Sequence, residues 1–187
     1  MPDNPPGQPP VDQWDLLCTF GFSTRFAGTW VENEDPHEVA RQLGVDPATR
    51  LDCDLRTAMR SYEPWGSDEI IWIGAHGQGW THLISISGPV VAPGPPSANG
   101  RRLFFVEYDD DEGVHGLSYW RDGEPLGQYG DGGELGPMLV HHGIDLASAQ
   151  SEADEMNAYL TLVGLATGRF VDSGLLSETR TLYRLSS

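Results

Sequence analysis

Apolar and polar positions along the chain follow two rhythms, and the changes between them predict its elements. Residues 14–22 are apolar and aromatic enough for a strand, and residues 28–32 read as its continuation or its partner. A helix is predicted over 36–43. Asp35 supplies its N-cap, Pro36 its first position, Glu38 its first-turn acid, Val39 and Leu43 its apolar stripe and Gly44 its stop. A second short helix covers 55–62 and ends before Pro64. Two strands follow at 69–73 and 80–86, joined by the glycine-rich turn 74–79. In the second strand Trp80, His82, Ile84 and Ile86 share one face. Thr81, Ser85 and Ser87 take the other, with Leu83 as the exception, which is the pattern of a sheet wet on one side.

A Pro-rich loop, 88–100, leads to strands at 102–108 and 116–121 that flank the acidic turn 109–113. Asp122-Gly123 then predicts a type I′ hairpin into 124–126, because both central positions of that turn need positive φ; Arg121 and Glu124 would face each other across it. The clearest helix is 151–167. Ser151 caps it, Asp154 completes a capping box, Met156, Tyr159, Leu160 and Val163 form one stripe, and Gly168 ends it. Its second half is apolar nearly all round, which predicts a central position against the sheet. A last strand covers 182–185, and there is no internal repeat or heptad pattern. The pattern predicts an α+β fold: a single domain over 14–187, mostly antiparallel β-sheet packed against a C-terminal helix and a short N-terminal helix. A disordered Pro-rich arm over 1–13 precedes it.

Composition narrows the function classes. A hydrophobic fraction of 39% with 6 Trp, 6 Tyr and 6 Phe can offset the entropy of ordering, so the chain should fold. No secretion signal opens it, no apolar run reaches the roughly 18–20 residues that span a bilayer, and the expected location is the cytoplasm. Cys18 and Cys53 form no paired motif and read as reduced core thiols. Eleven arginines, no lysine and 28 acidic residues leave a formal charge of -17. That balance disfavours nucleic acid and anionic membranes, and favours a basic protein partner drawn in by a long-range field.

Several short motifs resemble an actinobacterial family, domain of unknown function 6461. They are Trp30-Val31 leading into the 35–44 helix, Gly79-Trp80-Thr81, the 119–124 hairpin, and Leu165 through Phe170. The resemblance spans roughly 28–185. It implies a small bacterial α+β protein of unestablished activity, and carries over no catalytic residue. Residues 14–26 and the Pro-rich loop depart from the family pattern.

Candidate chemistry is sparse. Asp109, Asp110, Asp111 and Glu112 fail the EF-hand rule, since the sixth and twelfth positions from Asp109 hold Val114 and Trp120. They read as a solvated acidic turn or as a patch for a basic partner. His76, His82, His115, His141 and His142 match no metal-ligand spacing, and residues 74–79 lack the nucleophile, lysine or following helix of an oxyanion or phosphate loop. No metal and no cofactor is therefore expected. Trp65, Trp72, Trp80, Tyr108, Tyr119, Trp120 and Tyr129 are a large aromatic supply, and any that face outward would make a binding platform. The reading that results is an acidic protein-binding module of the immunity or antitoxin type, using Asp109, Asp110, Asp111, Glu112 and Trp120. A ligand-binding protein or enzyme with a pocket between sheet and C-terminal helix is the first alternative, and an accessory subunit of an assembly the second.

Overall fold

Among the described residues eight strands join one antiparallel sheet in the order β2-β8-β3-β4-β1-β5-β6-β7. They are β1 (Arg25–Val31), β2 (Val45–Cys53), β3 (Ile70–Gly77), β4 (Trp80–Ser87), β5 (Arg102–Asp109), β6 (Gly113–Arg121), β7 (Glu124–Gln128) and β8 (Arg180–Leu185). The α-helices of the described residues pack around them: α1 (Gln13–Thr19), α2 (Pro36–Gln42), α3 (Leu55–Ala58), α4 (Leu135–His141), α5 (Glu152–Thr167) and α6 (Ser173–Ser177). The structure is a computed structural model, and it describes Pro9 and residues 12–89, 94–128 and 133–186. The expected arm up to residue 11, apart from Pro9, lies outside the described residues, as do part of the Pro-rich loop and Tyr129.

The α+β class, the C-terminal helix and the short N-terminal helix are as the pattern predicts. The strand expected at 14–22 is not. Residues 13–19 are helix α1, because Asp12 accepts a hydrogen bond from the Asp15 N–H at 2.8 Å and so caps a turn whose Trp14 and Leu17, three apart, both point inward. Gln13 is buried as well. It accepts from the Val171 N–H at 2.9 Å, so the fold begins inside the stretch read as an arm.

The sheet is not wet on one side either. Its main face carries the larger core, in which Trp30, Trp72, Ile84, Phe104 and Tyr119 pack under side chains from α1, α3, α4, α5 and α6. The other face carries a second core. There Val39 and Ala40 of α2 cover Ile71, Ile73 and Leu83, with Val31, Leu103 and Tyr183 beside them. Leu83, the exception in its strand, therefore marks a buried face. Thr81, next to it, is buried and donates to the Asn33 carbonyl at 2.7 Å. At the β6–β7 hairpin Asp122 and Gly123 take φ of 54° and 82°, and Arg121 faces Glu124 as expected of a type I′ turn.

Candidate functional site

The acidic turn is built by its own first residue. Asp109 ends β5 and is buried; its carboxylate accepts from the N–H groups of Asp111 at 2.9 Å and Glu112 at 3.4 Å, while the Asp110 N–H reaches the Thr24 carbonyl at 2.9 Å. An aspartate that bonds the backbone two residues on closes the turn in the manner of an Asx-turn. Asp109 is thus a scaffold, and Asp110, Asp111 and Glu112 are displayed by it in solvent. Carboxylate oxygens of Asp109, Asp110 and Asp111 lie within 4.8 Å of one another. Among the described residues no arginine bridges any of these three, and Glu112 has only His115, at 3.3 Å.

Beside the turn an open cleft of about 570 Å³ is lined by Arg25, Trp65, Glu107, Asp109, Asp111, Glu112 and His115. Three separate segments meet there. Arg25 enters from β1, donating to the Pro64 and Gly88 carbonyls, approaching Glu107 to 3.7 Å and resting 4.8 Å from the centre of the Trp65 ring. Tyr62 steadies that arm of the cleft by donating its hydroxyl to the Arg25 carbonyl at 2.7 Å. Trp65 stays 60% exposed although it is large and apolar. An aromatic face already holding one guanidinium, beside Asp111 and Glu112, which have no arginine partner among the described residues, is chemistry suited to cationic side chains.

Trp120 is not part of this cleft. It sits at the far end of β6, eight residues from Glu112 and so roughly 25 Å along the strand. It projects from the same face of the sheet as Arg25 and Glu107, but at the other end of the strands, half-buried, with its indole N–H donating to Ser118 at 3.2 Å. There it lines a separate concavity of about 720 Å³ with Phe105, Pro125 and Leu126. Of the remaining aromatic supply, Trp72, Trp80 and Tyr119 are core residues, and Tyr108 is half-buried under Trp14. Trp65 was one name among seven in the sequence. Its distinguishing signal is that Pro64 and Gly66 flank it, which keeps it off any strand.

A second titratable group lies inside the larger core. Reading across the sheet, Arg180 of β8 lies over Gly74 of β3, Gly74 pairs with His82 of β4, and His82 pairs with Trp30 of β1. Arg180 exposes 2% of its side chain; it donates to His82 Nδ1 at 3.2 Å and to the Ala75 carbonyl at 2.7 Å, and lies over the Trp72 ring at 4.9 Å. Glu178, bound to Arg169 at 2.6 Å, is its only acidic neighbour among the described residues, at 3.4 Å. Burial takes the Arg180 pKa down to about 10 against the pull of Glu178. Burial, with smaller pushes from Arg180 and Arg169, takes His76 from 6.5 to about 3, and the same desolvation with Arg180 drives His82 well down. Both rings are neutral at pH 7.

These histidines do not make a metal centre. Arginine only donates, so His82 Nδ1 must be the acceptor and Nε2 carries the hydrogen, which leaves that nitrogen no lone pair for a metal. His115 stands apart beside Glu112, and His141 and His142 meet edge to face, ring centres 4.9 Å apart, at the end of α4. Among the described residues no helix is long and apolar enough to cross a membrane. Comparison of the chain with protein-family models, with curated proteins and with solved structures finds no match.

Proposed function

We propose that the protein is an acidic binding module of the immunity or antitoxin type, whose cleft at the β5–β6 turn takes basic side chains of a protein partner. One observation carries this reading: an exposed tryptophan shares a concavity with Asp109, Asp111 and Glu112, which no arginine bridges among the described residues, while Glu107 there holds Arg25. The formal charge of -17 supports it by extending the attraction beyond contact range and by repelling nucleic acid and anionic membranes. Trp65 would supply the apolar and cation–π anchor, and Asp111 and Glu112 charge-assisted hydrogen bonds. Kinship with domain of unknown function 6461 belongs to the same proposal and rests on the short motifs alone.

The test is titration of the folded protein with an arginine-rich peptide, followed by calorimetry at low and at moderate salt. The reading expects saturable binding that weakens with salt, falls at least tenfold in the Asp111→Lys, Glu112→Lys double variant, and falls again in Trp65→Ala. Asp109 is left intact, since it holds the turn. Undiminished binding in both variants removes the cleft from the proposal, and no binding by the wild type removes the affinity for basic partners.

A further inference from the structure

Hydrogen-bond accounting in the buried His76–His82 cluster leads to a binding site in the core. His76 Nε2 lies 2.9 Å from the Arg169 carbonyl oxygen, which can only accept, so Nε2 carries the hydrogen. Thr167, 3.1 Å from the same nitrogen, spends its own hydrogen on the Val163 carbonyl at 2.8 Å. The Nδ1 of His76 is therefore a bare lone pair. On His82 the assignment has the same outcome for a different reason: Nδ1 accepts from Arg180, and Nε2 is an N–H.

Among the described residues, three ring nitrogens of this cluster are then left without a protein partner: the lone pair of His76 Nδ1 and the N–H groups of His82 Nε2 and Trp30 Nε1. Arg180 Nε also lacks one, but its guanidinium faces the Trp72 π-surface. The three rings touch one another. Trp30 stacks on His82 with centroids 4.5 Å apart, His76 meets His82 at 5.5 Å, and Trp30 meets His76 at 6.1 Å. Each ring is essentially sealed from bulk solvent, so each unmade bond would carry the full desolvation penalty of its group.

What the junction can accept follows from the signs. A metal ion would meet the His82 N–H and the neighbouring Arg180 charge. An anion would meet the His76 lone pair. Two donors and one acceptor match an uncharged molecule with two lone pairs and at least one hydrogen. We infer that one water molecule is bound at the Trp30–His76–His82 junction, accepting from Trp30 Nε1 and His82 Nε2 and donating to His76 Nδ1. It ties β1, β3 and β4 together at mid-sheet and locks both imidazoles in the Nε2–H form.

A high-resolution crystal structure of the full chain, with nitrogen-15 NMR of the imidazoles at pH 7, tests this. The expected result is a density peak within hydrogen-bond distance of all three nitrogens, and two neutral rings protonated on Nε2. A junction without density, in which His82 Nε2 bonds His76 Nδ1 directly, overturns the inference, as does a hydrogen on Nδ1 of either ring. In His76→Phe, which removes the acceptor, the peak should vanish while His82 keeps its tautomer; a peak that persists also overturns it. Should that variant not fold, the wild-type measurements decide alone.

Discussion

At the scale of single residues, the least ordinary position is Gly74. A Cβ there would sit 2.6 Å from Arg180 Cγ and 2.8 Å from Cδ, and the arginine has nowhere to retreat because its side chain is buried on both sides. Gly74→Ala should therefore destabilise the fold by roughly 1–3 kcal/mol, the usual cost of overpacking a filled core, read as a lower urea midpoint. His76 gives a second prediction. Its folded pKa, about 3, lies below its unfolded value near 6.5, so the unfolded chain binds its proton more tightly. The stability this histidine contributes is complete above pH 6.5 and is lost as pH falls toward 3. Between pH 6.5 and 5 ordinary carboxylates stay ionised, so urea titrations in that window should show stability falling toward a limit of about 1.4 kcal/mol per pH unit for each such histidine. His76→Gln should flatten the slope without abolishing it, since His82 is depressed in the same direction.

At the scale of elements, α1 is the sharpest test of what holds a short helix. Asp12 caps it and also accepts from Asn157 Nδ2 of α5 at 2.8 Å, while Asn157 returns a bond from the Trp14 N–H at 2.9 Å. Asp12→Ala should cost roughly 1–2 kcal/mol, visible as a lower melting temperature, because it removes a cap and an inter-helix link together. The same helix shows where the sequence misleads. Residues 14–22 are dense in apolar side chains, and their order does not separate a short helix from a strand; Asp12, just upstream, decides it. Elements with strong local grammar were legible: α2 with Asp35 and Pro36, α5 with Ser151 and Gly168, and the Asp122-Gly123 hairpin. Those without it were not. α4 has no side-chain cap and carries Gly136 and Pro137 in its first turn, α6 is five residues long, and β2 is mostly exposed and irregular, held by its pairing with β8. The cleft divides the same way. Its acidic turn is contiguous in sequence, whereas Arg25, Trp65 and Glu107 meet only because β1 and β5 pair and residues 62–66 fold over them.

At the scale of the whole molecule, 28 acidic residues against 11 arginines make the folded state repel itself. Among the described residues seven arginines engage carboxylates, and the fields of the other described acids go uncancelled by arginine at short range. Raising sodium chloride from about 10 to about 300 mM shortens the Debye length from roughly 30 Å to under 10 Å, and the melting temperature should rise by a few degrees. A fall would mean that ion pairs outweigh repulsion in this fold.

The order of strands has a consequence in time. β8, contributed by residues 180–185, is not an edge: it lies between β2 and β3 and bonds to both. During synthesis β2 must wait unpaired for more than a hundred residues until its neighbour leaves the ribosome. Closure of that half of the sheet is thus a late, long-range event, and refolding should be slow for a chain of this size. A nascent protein halted before Arg180 would expose the flanks of β2 and β3, the state in which a chaperone, or aggregation, would find it.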